Sequence, residues 1–316
     1  MKPILRIFGA LVALILLASV VGIALTWAPD RPVAALQARW APPPSVFVEL
    51  AGMAVHLRDE GRRDDPVPIV LIHGTSASLH TWDGWVAALG PARRIIRFDL
   101  PGFGLTGPFA GGDYTLPSYV RFVRGLLDQQ GIARCVLAGN SFGGTVAWAV
   151  ATALPERVER LILVDAGGYP LVPRSVPIGF RIVSTPGLNQ LGRFILPRGV
   201  IESSLRNVYG TPDKVTPALV DRYYELTLRA GNRLAVAERL RQAPAGILAT
   251  EIAKVKQPTL ILWGGQDRLI PPEHAELFHR DIAGSQVVLF PALGHVPHEE
   301  DPEVTAAAVK AFLGGA

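Results

Sequence analysis

Cysteine is almost missing: one residue, Cys135, in a chain of 316. A single thiol cannot close an intramolecular disulfide, so no disulfide framework is expected, and cysteine usage says little about compartment. Opening the apolar run "CVLAG", Cys135 reads as a small buried hydrophobe in a strand. Zinc-ligand spacing of Cys and His is absent, and so is the phosphate-cradling G-x-x-x-x-G-K-[ST] loop. No metal or cofactor is expected. Long charge runs are also lacking: no five consecutive like charges occur, and the formal charge is only +4. Basic residues are scattered, with Arg well in excess of Lys. Without a basic stripe or a recognised module, nucleic-acid binding is not expected. Internal repeats and low-complexity segments are missing too, which argues against a solenoid.

What the chain has is one long apolar run near its start. "IFGALVALILLASVVGIALTW", Ile7 to Trp27, carries no charge between Arg6 and Asp30. At 1.5 Å per residue, twenty-one residues span about the 30 Å of a bilayer's hydrocarbon core. Lys2 and Arg6 precede the run, which favours a cytoplasmic N-terminus. A cleaved signal peptide would have a shorter apolar region and a better small-residue site than "TWA". The expectation is an uncleaved transmembrane anchor over residues 1–29, a linker over 30–45 and a globular domain over 46–316. That domain would lie on the non-cytoplasmic side, or be secreted if the segment is cleaved.

The globular part alternates. "SVFVEL" and "MAVHLRD" read as an antiparallel pair joined by the turn "AG". "PIVLIHG", "RIIRFDLPG", "CVLAGNS", "RLILVDAGG", "PTLILWGGQD" and "QVVLFPALGH" are short apolar runs, each ending in Gly, Asp, His or Ser. Runs without alternation predict strands buried on both faces, as in a parallel sheet. Helices are predicted over 116–130, 142–154, 272–281 and 302–313, which makes a doubly wound α/β sheet. From about Tyr169 to Pro244 the strand pattern stops. "TPALVDRYYELTLRAG" predicts a helix capped by Thr216 with Pro217 in its first turn. This segment reads as a helical cap over the C-terminal edge of the sheet, where open α/β sheets bind ligands.

"LAGNSFGG" stands between a predicted strand and a predicted helix. A nucleophile elbow requires that context. Gly139 and Gly143 supply the lack of bulk a tight turn needs, and Gly144 lets the helix approach the sheet. Ser141 is then the candidate nucleophile at a helix N-terminus. A serine needs a base. His295 follows the last strand and Asp267 follows the strand before it, so the order Ser141, Asp267, His295 is that of an elbow hydrolase. Asp165 is the rival acid. His298 is the rival base, read as a packing residue. His73 is expected to orient the loop that supplies an oxyanion donor, and Asp99 to fix its own loop. His56, His80, His274 and His279 read as core or surface residues, and Glu299 and Glu300 as a solvated helix start. The oxyanion hole is expected from the backbone N–H groups of Phe142 and Thr75, with Ser76 the alternative to Thr75. The Thr75 hydroxyl is a potential third donor. Asn140 receives no role.

"VLIHGTSAS", "RIIRFDLPGFGLTGP", "VLAGNSFGGTVAWAVATALPERVERLILVDAGG", "LILWGGQDRLIPPEHA" and "LGHVPHEEDPE" together resemble the motif blocks of the α/β-hydrolase superfamily, in order, over about Val46 to Leu313. The resemblance implies an α/β-hydrolase fold: a mostly parallel eight-stranded sheet flanked by helices with a helical cap, here behind a transmembrane helix. It also implies Ser141, Asp267 and His295 as triad and Thr75 with Phe142 as oxyanion hole. Epoxide hydrolases and dehalogenases of this superfamily use an aspartate nucleophile, so Ser141 points away from them. The form "GNSFGG" resembles carbon–carbon-bond hydrolases, but these usually carry Trp directly after the histidine, where this chain has Val296. The expected function is hydrolysis of a small carboxylic ester with an apolar acyl part. A carbon–carbon-bond hydrolase and a non-catalytic, membrane-tethered binding protein are the alternatives.

Overall fold

The computed structural model describes residues 2–185 and 187–314. Eight strands form one sheet in the order β1-β2-β4-β3-β5-β6-β7-β8. They are β1 Val46–Leu50, β2 Met53–Gly61, β3 Ile69–Ile72, β4 Arg94–Phe98, β5 Cys135–Asn140, β6 Val158–Val164, β7 Thr259–Gly264 and β8 Gln286–Phe290. β2 pairs antiparallel with β1 and with β4; every other pairing is parallel. The turn Ala51–Gly52 joins the antiparallel pair, as the sequence predicts.

The apolar runs explain this order. β3, β5 and β7 are buried at every position. Alternate residues serve opposite faces, because side chains alternate along a strand. Val70, Ile72, Leu137 and Leu163 join one core; Ile69, Leu71, Val136 and Ile162 join the other with Trp82 and Trp85. β1 and β8 are partly exposed, as sheet edges are. Cys135 is wholly buried, and burial pushes its thiol up to about 12, so it is a packing residue.

The helices, in chain order, are α1 Lys2–Thr26, α2 Val33–Trp40, α3 Asp83–Leu89, α4 Leu116–Gln129, α5 Phe142–Ala153, α6 Ile178–Ser184, α7 Leu188–Leu191, α8 Arg198–Val208, α9 Pro217–Thr227, α10 Asn232–Gln242, α11 Glu273–Asp281, α12 Pro297–Glu300 and α13 Pro302–Leu313. α6 to α10 lie between β6 and β7 and are the predicted helical insertion. Thr216 caps α9, its hydroxyl accepting from the N–H of Leu219 at 3.2 Å.

The stretch read as a linker contains α2, fastened to α9 by Arg39 and the Trp40 indole, both on Glu225. Ahead of it, residues 2–26 form one helix of 25 residues. Among the described residues no helix is long and apolar enough to cross a membrane. Side chains 15, 18 and 19 inside this helix, and those of Lys2 and Arg6 that set the expected orientation, lie outside the described set. The fold therefore does not establish the transmembrane helix.

Candidate active site

β5 runs directly into α5 through Ser141, whose φ of 54° and ψ of −119° form a sharp, strained turn. The glycines around it are sterically required. A Cβ on Gly139 would lie 2.2 Å from the carbonyl oxygen of Gly143, and one on Gly143 would lie 2.2 Å from that of Ile72. On Gly144 it would lie 2.5 Å from the Cβ of Ala166, so this glycine sets the closeness of α5 to the end of β6. Ser141 heads α5, where backbone N–H groups converge and the helix dipole is positive.

Asp267 and His295 come together from the ends of β7 and β8. Asp267 is buried and fully committed. Its Oδ1 accepts from the N–H of Leu269 at 2.8 Å and of Ile270 at 2.9 Å. Its Oδ2 lies 2.6 Å from Nδ1 of His295. With a carboxylate at Nδ1, the proton of neutral His295 sits on that nitrogen and Nε2 is a free base. Ser141 and His295 line the same cavity, of about 160 Å³. No hydrogen bond joins them among the described residues, and catalytic contacts of this kind often tighten only around substrate.

The two expected oxyanion donors are free. Among the described residues, the N–H groups of Thr75 and Phe142 donate to no other backbone group. His73 holds the Thr75 loop as predicted: its Nδ1 is 2.7 Å from the carbonyl of Gly74, and its Nε2 accepts from the N–H of Leu100 at 2.9 Å. Asp99 fixes its loop by accepting from Leu79, Leu105 and His56; full burial pushes its carboxyl up, but the neighbouring His56 above all holds it below the ordinary carboxylate range.

Asp165, at the end of β6, also reaches the cluster. Asp165, Asp267 and His295 each place one ligating atom within 4.8 Å of the others. Oδ1 of Asp165 accepts from the N–H of Gly264 at 2.9 Å, and its Oδ2 has no hydrogen-bond partner among the described residues. Burial, and then the charge of Asp267, hold it well above the usual carboxylate range. Nδ1 of His295 is already taken by Asp267. The contact to the histidine ring thus belongs to Asp267. His298 is wholly buried against Trp82, ring centroids 4.1 Å apart, with neither ring nitrogen bonded among the described residues. Burial pushes it down to about 3, so it is a neutral packing residue.

Three site residues escape sequence reasoning. Nδ2 of Asn140 donates to the carbonyl of Val164 at 3.1 Å and to that of His295 at 3.0 Å. It ties the histidine loop to the elbow, and since both partners only accept, its orientation is settled. Its signal was a polar residue ending a wholly buried strand. Glu300 is not solvated: it is buried and accepts from Gly210, Thr211 and Gly294, joining the cap to the histidine loop. Glu299 is likewise paired, with Arg222 and the Tyr223 hydroxyl. The third residue, Arg239, comes from α10, where nothing in the run "NRLAVAERLRQ" marks it out from the neighbouring arginines.

Ser141 stands between two chambers. The first, lined by Phe180, Val200, Leu205 and Val208, contains His295. The second, of about 310 Å³, is lined by Trp148, Leu171, Leu240 and Ala243. An elbow serine, an imidazole with its carboxylate, and free N–H groups beneath a helical cap define an α/β-hydrolase-type site. Residues 67–302 match the family described as alpha/beta hydrolase fold, and the chain belongs to that family. Among curated relatives it is 32% identical, over 79% of its length and 88% of the relative's, to a 2-hydroxy-6-oxo-2,4-heptadienoate hydrolase of Pseudomonas putida. It is 29% identical, over 84% and 92%, to a 2-hydroxymuconate semialdehyde hydrolase of a Pseudomonas species. Among solved structures, a bacterial membrane phospholipase A superposes with a TM-score of 0.74 at 27% identity, covering 100% of this chain and 99% of that one.

Proposed function

We propose that this protein is a serine hydrolase that cleaves carboxylic esters through an acyl-enzyme. The observation that carries the reading is the 2.6 Å contact of Asp267 with Nδ1 of His295, which leaves Nε2 free in the cavity that Ser141 also lines. Nε2 takes the Ser141 proton as Oγ attacks the ester carbonyl. The N–H groups of Phe142 and Thr75 receive the oxyanion. The imidazolium, held by Asp267, gives its proton to the leaving alcohol. Water, deprotonated by the same imidazole, then releases the acid. The two apolar chambers either side of Ser141 suit an acyl chain and an apolar alcohol part. Ser141→Ala should abolish hydrolysis of p-nitrophenyl butyrate and labelling by a fluorophosphonate. Retained activity would sink the mechanism, and a wild-type chain that fails to label would favour the non-catalytic binding protein.

Carbon–carbon-bond hydrolysis is the second reading, favoured by the activities of the two Pseudomonas relatives. It uses the same three residues. Turnover of a vinylogous diketo acid in preference to a simple ester would select it.

The N-terminal segment we read as a membrane tether with the domain on the non-cytoplasmic side. In its support, Ile7, Phe8, Leu14, Leu17, Val20 and Leu25 are 62% to 81% exposed. Leaving each such side chain in water forgoes about 1.5–3 kcal/mol. The full-length match to a membrane phospholipase A points the same way. Deleting residues 1–26 should release active enzyme from the membrane fraction. Release of the intact chain by carbonate washing would refute the tether.

A further inference from the structure

Arg239 is a buried cation without a counter-ion among the described residues. It is 8% exposed. Its one hydrogen bond among the described residues runs from Nη2 to Oγ1 of Thr75, at 2.8 Å. Its Nε has no partner, and no carboxylate of the described residues pairs with it. The adjacent Glu238 is occupied by Arg241 and Gln242. The nearby Tyr119 is kept neutral by burial and donates to the carbonyl of Pro101. Burial pushes the guanidinium down only to about 10, so it remains cationic at neutral pH. A buried charge left unpaired is costly, and such charges are as a rule matched by a partner.

Its contacts single out the two residues read as the oxyanion hole. Nη2 is bonded to the Thr75 hydroxyl, and the guanidinium carbon lies 4.4 Å from the centroid of the Phe142 ring. A hydroxyl has one proton to give and two lone pairs to receive with. Because an arginine can only donate, Thr75 Oγ1 spends a lone pair on it and keeps its own proton free. That proton is used by no protein acceptor among the described residues, and Thr75 lines both chambers alongside Ser141.

We propose that Arg239 is a positioning residue of the oxyanion hole: from the cap it turns the Thr75 hydroxyl into a third donor, backed by a fixed positive charge. The inference rests on the serine-hydrolase reading. The charge missing from the resting site is the one that develops on the tetrahedral intermediate, and a preorganised cation is worth most in such a dry site. The cap then does more than shape the chambers, since α10 completes the catalytic electrostatics.

A double-mutant cycle on p-nitrophenyl butyrate tests this. Thr75→Val should lower kcat on the order of 100-fold with KM within about threefold, and Thr75→Ser should restore most of it. Arg239→Met should lower kcat about 10- to 100-fold. The double variant should fall no more than about threefold below the worse single one, because both changes remove the same donor. Multiplying effects overturn the proposal, as does an Arg239→Met loss confined to KM and Tm. A loss confined to an anionic ester such as mono-p-nitrophenyl glutarate overturns it too, by making Arg239 a substrate-anion receptor. If Arg239→Met does not fold, Thr75→Val decides alone: full kcat in that variant refutes the third donor. A wild-type chain that hydrolyses no ester removes the reading beneath the proposal instead, and the proposal with it.

Discussion

Replacing Asp267 by Asn tests the core of the mechanism with almost no change of shape. Oδ1 of Asp267 accepts two buried backbone N–H groups, from Leu269 and Ile270, while Oδ2 faces Nδ1 of His295. In the variant the amide oxygen must stay on the two backbone donors. The amide NH₂ then faces Nδ1, which becomes an acceptor, so the ring proton moves to Nε2. That tautomer cannot take the serine proton. Restoring the productive one requires flipping the amide, which turns NH₂ onto two backbone donors and leaves both unsatisfied. Each such group costs about 1–3 kcal/mol, together about 2–6. At 1.36 kcal/mol per decade of rate, kcat should fall between about 30-fold and 10⁴-fold. KM and Tm should barely move. Initial rates with p-nitrophenyl butyrate and the rate of fluorophosphonate labelling both report it. A folded Asp267→Asn enzyme within tenfold of wild type refutes the argument. In that event Asp165, which belongs to the same cluster, is the acid, and Asp165→Asn should carry the loss.

Other outcomes follow from the same geometry. Gly139→Ala puts a Cβ 2.2 Å from the backbone of Gly143, which no side-chain rotation relieves. It should cost about 3 kcal/mol or more and leave soluble protein inactive; a normal Tm would show the elbow to be less constrained than it looks. Asn140→Ala strips a donor from the carbonyls of Val164 and His295. It should lower stability by about 1–3 kcal/mol and reduce kcat more than it raises KM, and equal stability by urea titration would refute its role. Stability should also decline in acid. His298 and His80 are held down by burial, to about 3 and about 4. The unfolded chain protonates both near 6.5, so it binds more protons below that and folding weakens as pH falls from about 6.5 toward 3. His298→Phe should flatten that slope by up to about 1.4 kcal/mol per pH unit. An unchanged slope between pH 4.5 and 6.5 would count against it.

The sequence by itself determined the scaffold and the order of the candidate triad. Parallel strands buried on both faces must be apolar throughout, so they stand out as unalternating runs, and each run ends at the sheet edge where its loop residue is presented. The elbow is legible because its turn admits only glycine at Gly139 and Gly143, a local steric fact. The choice between Asp267 and Asp165 was not local. Both follow a strand, and only the fold shows which carboxylate turns to the imidazole and which turns to the backbone of Gly264. Asn140, Glu300 and Arg239 depend on tertiary structure more completely still. Each acts on a residue far along the chain, Asn140 on His295, Glu300 on Gly210 and Arg239 on Thr75. Spacing and periodicity record only neighbours, whereas a buried polar side chain takes its role from whichever partner the fold brings within about 3 Å.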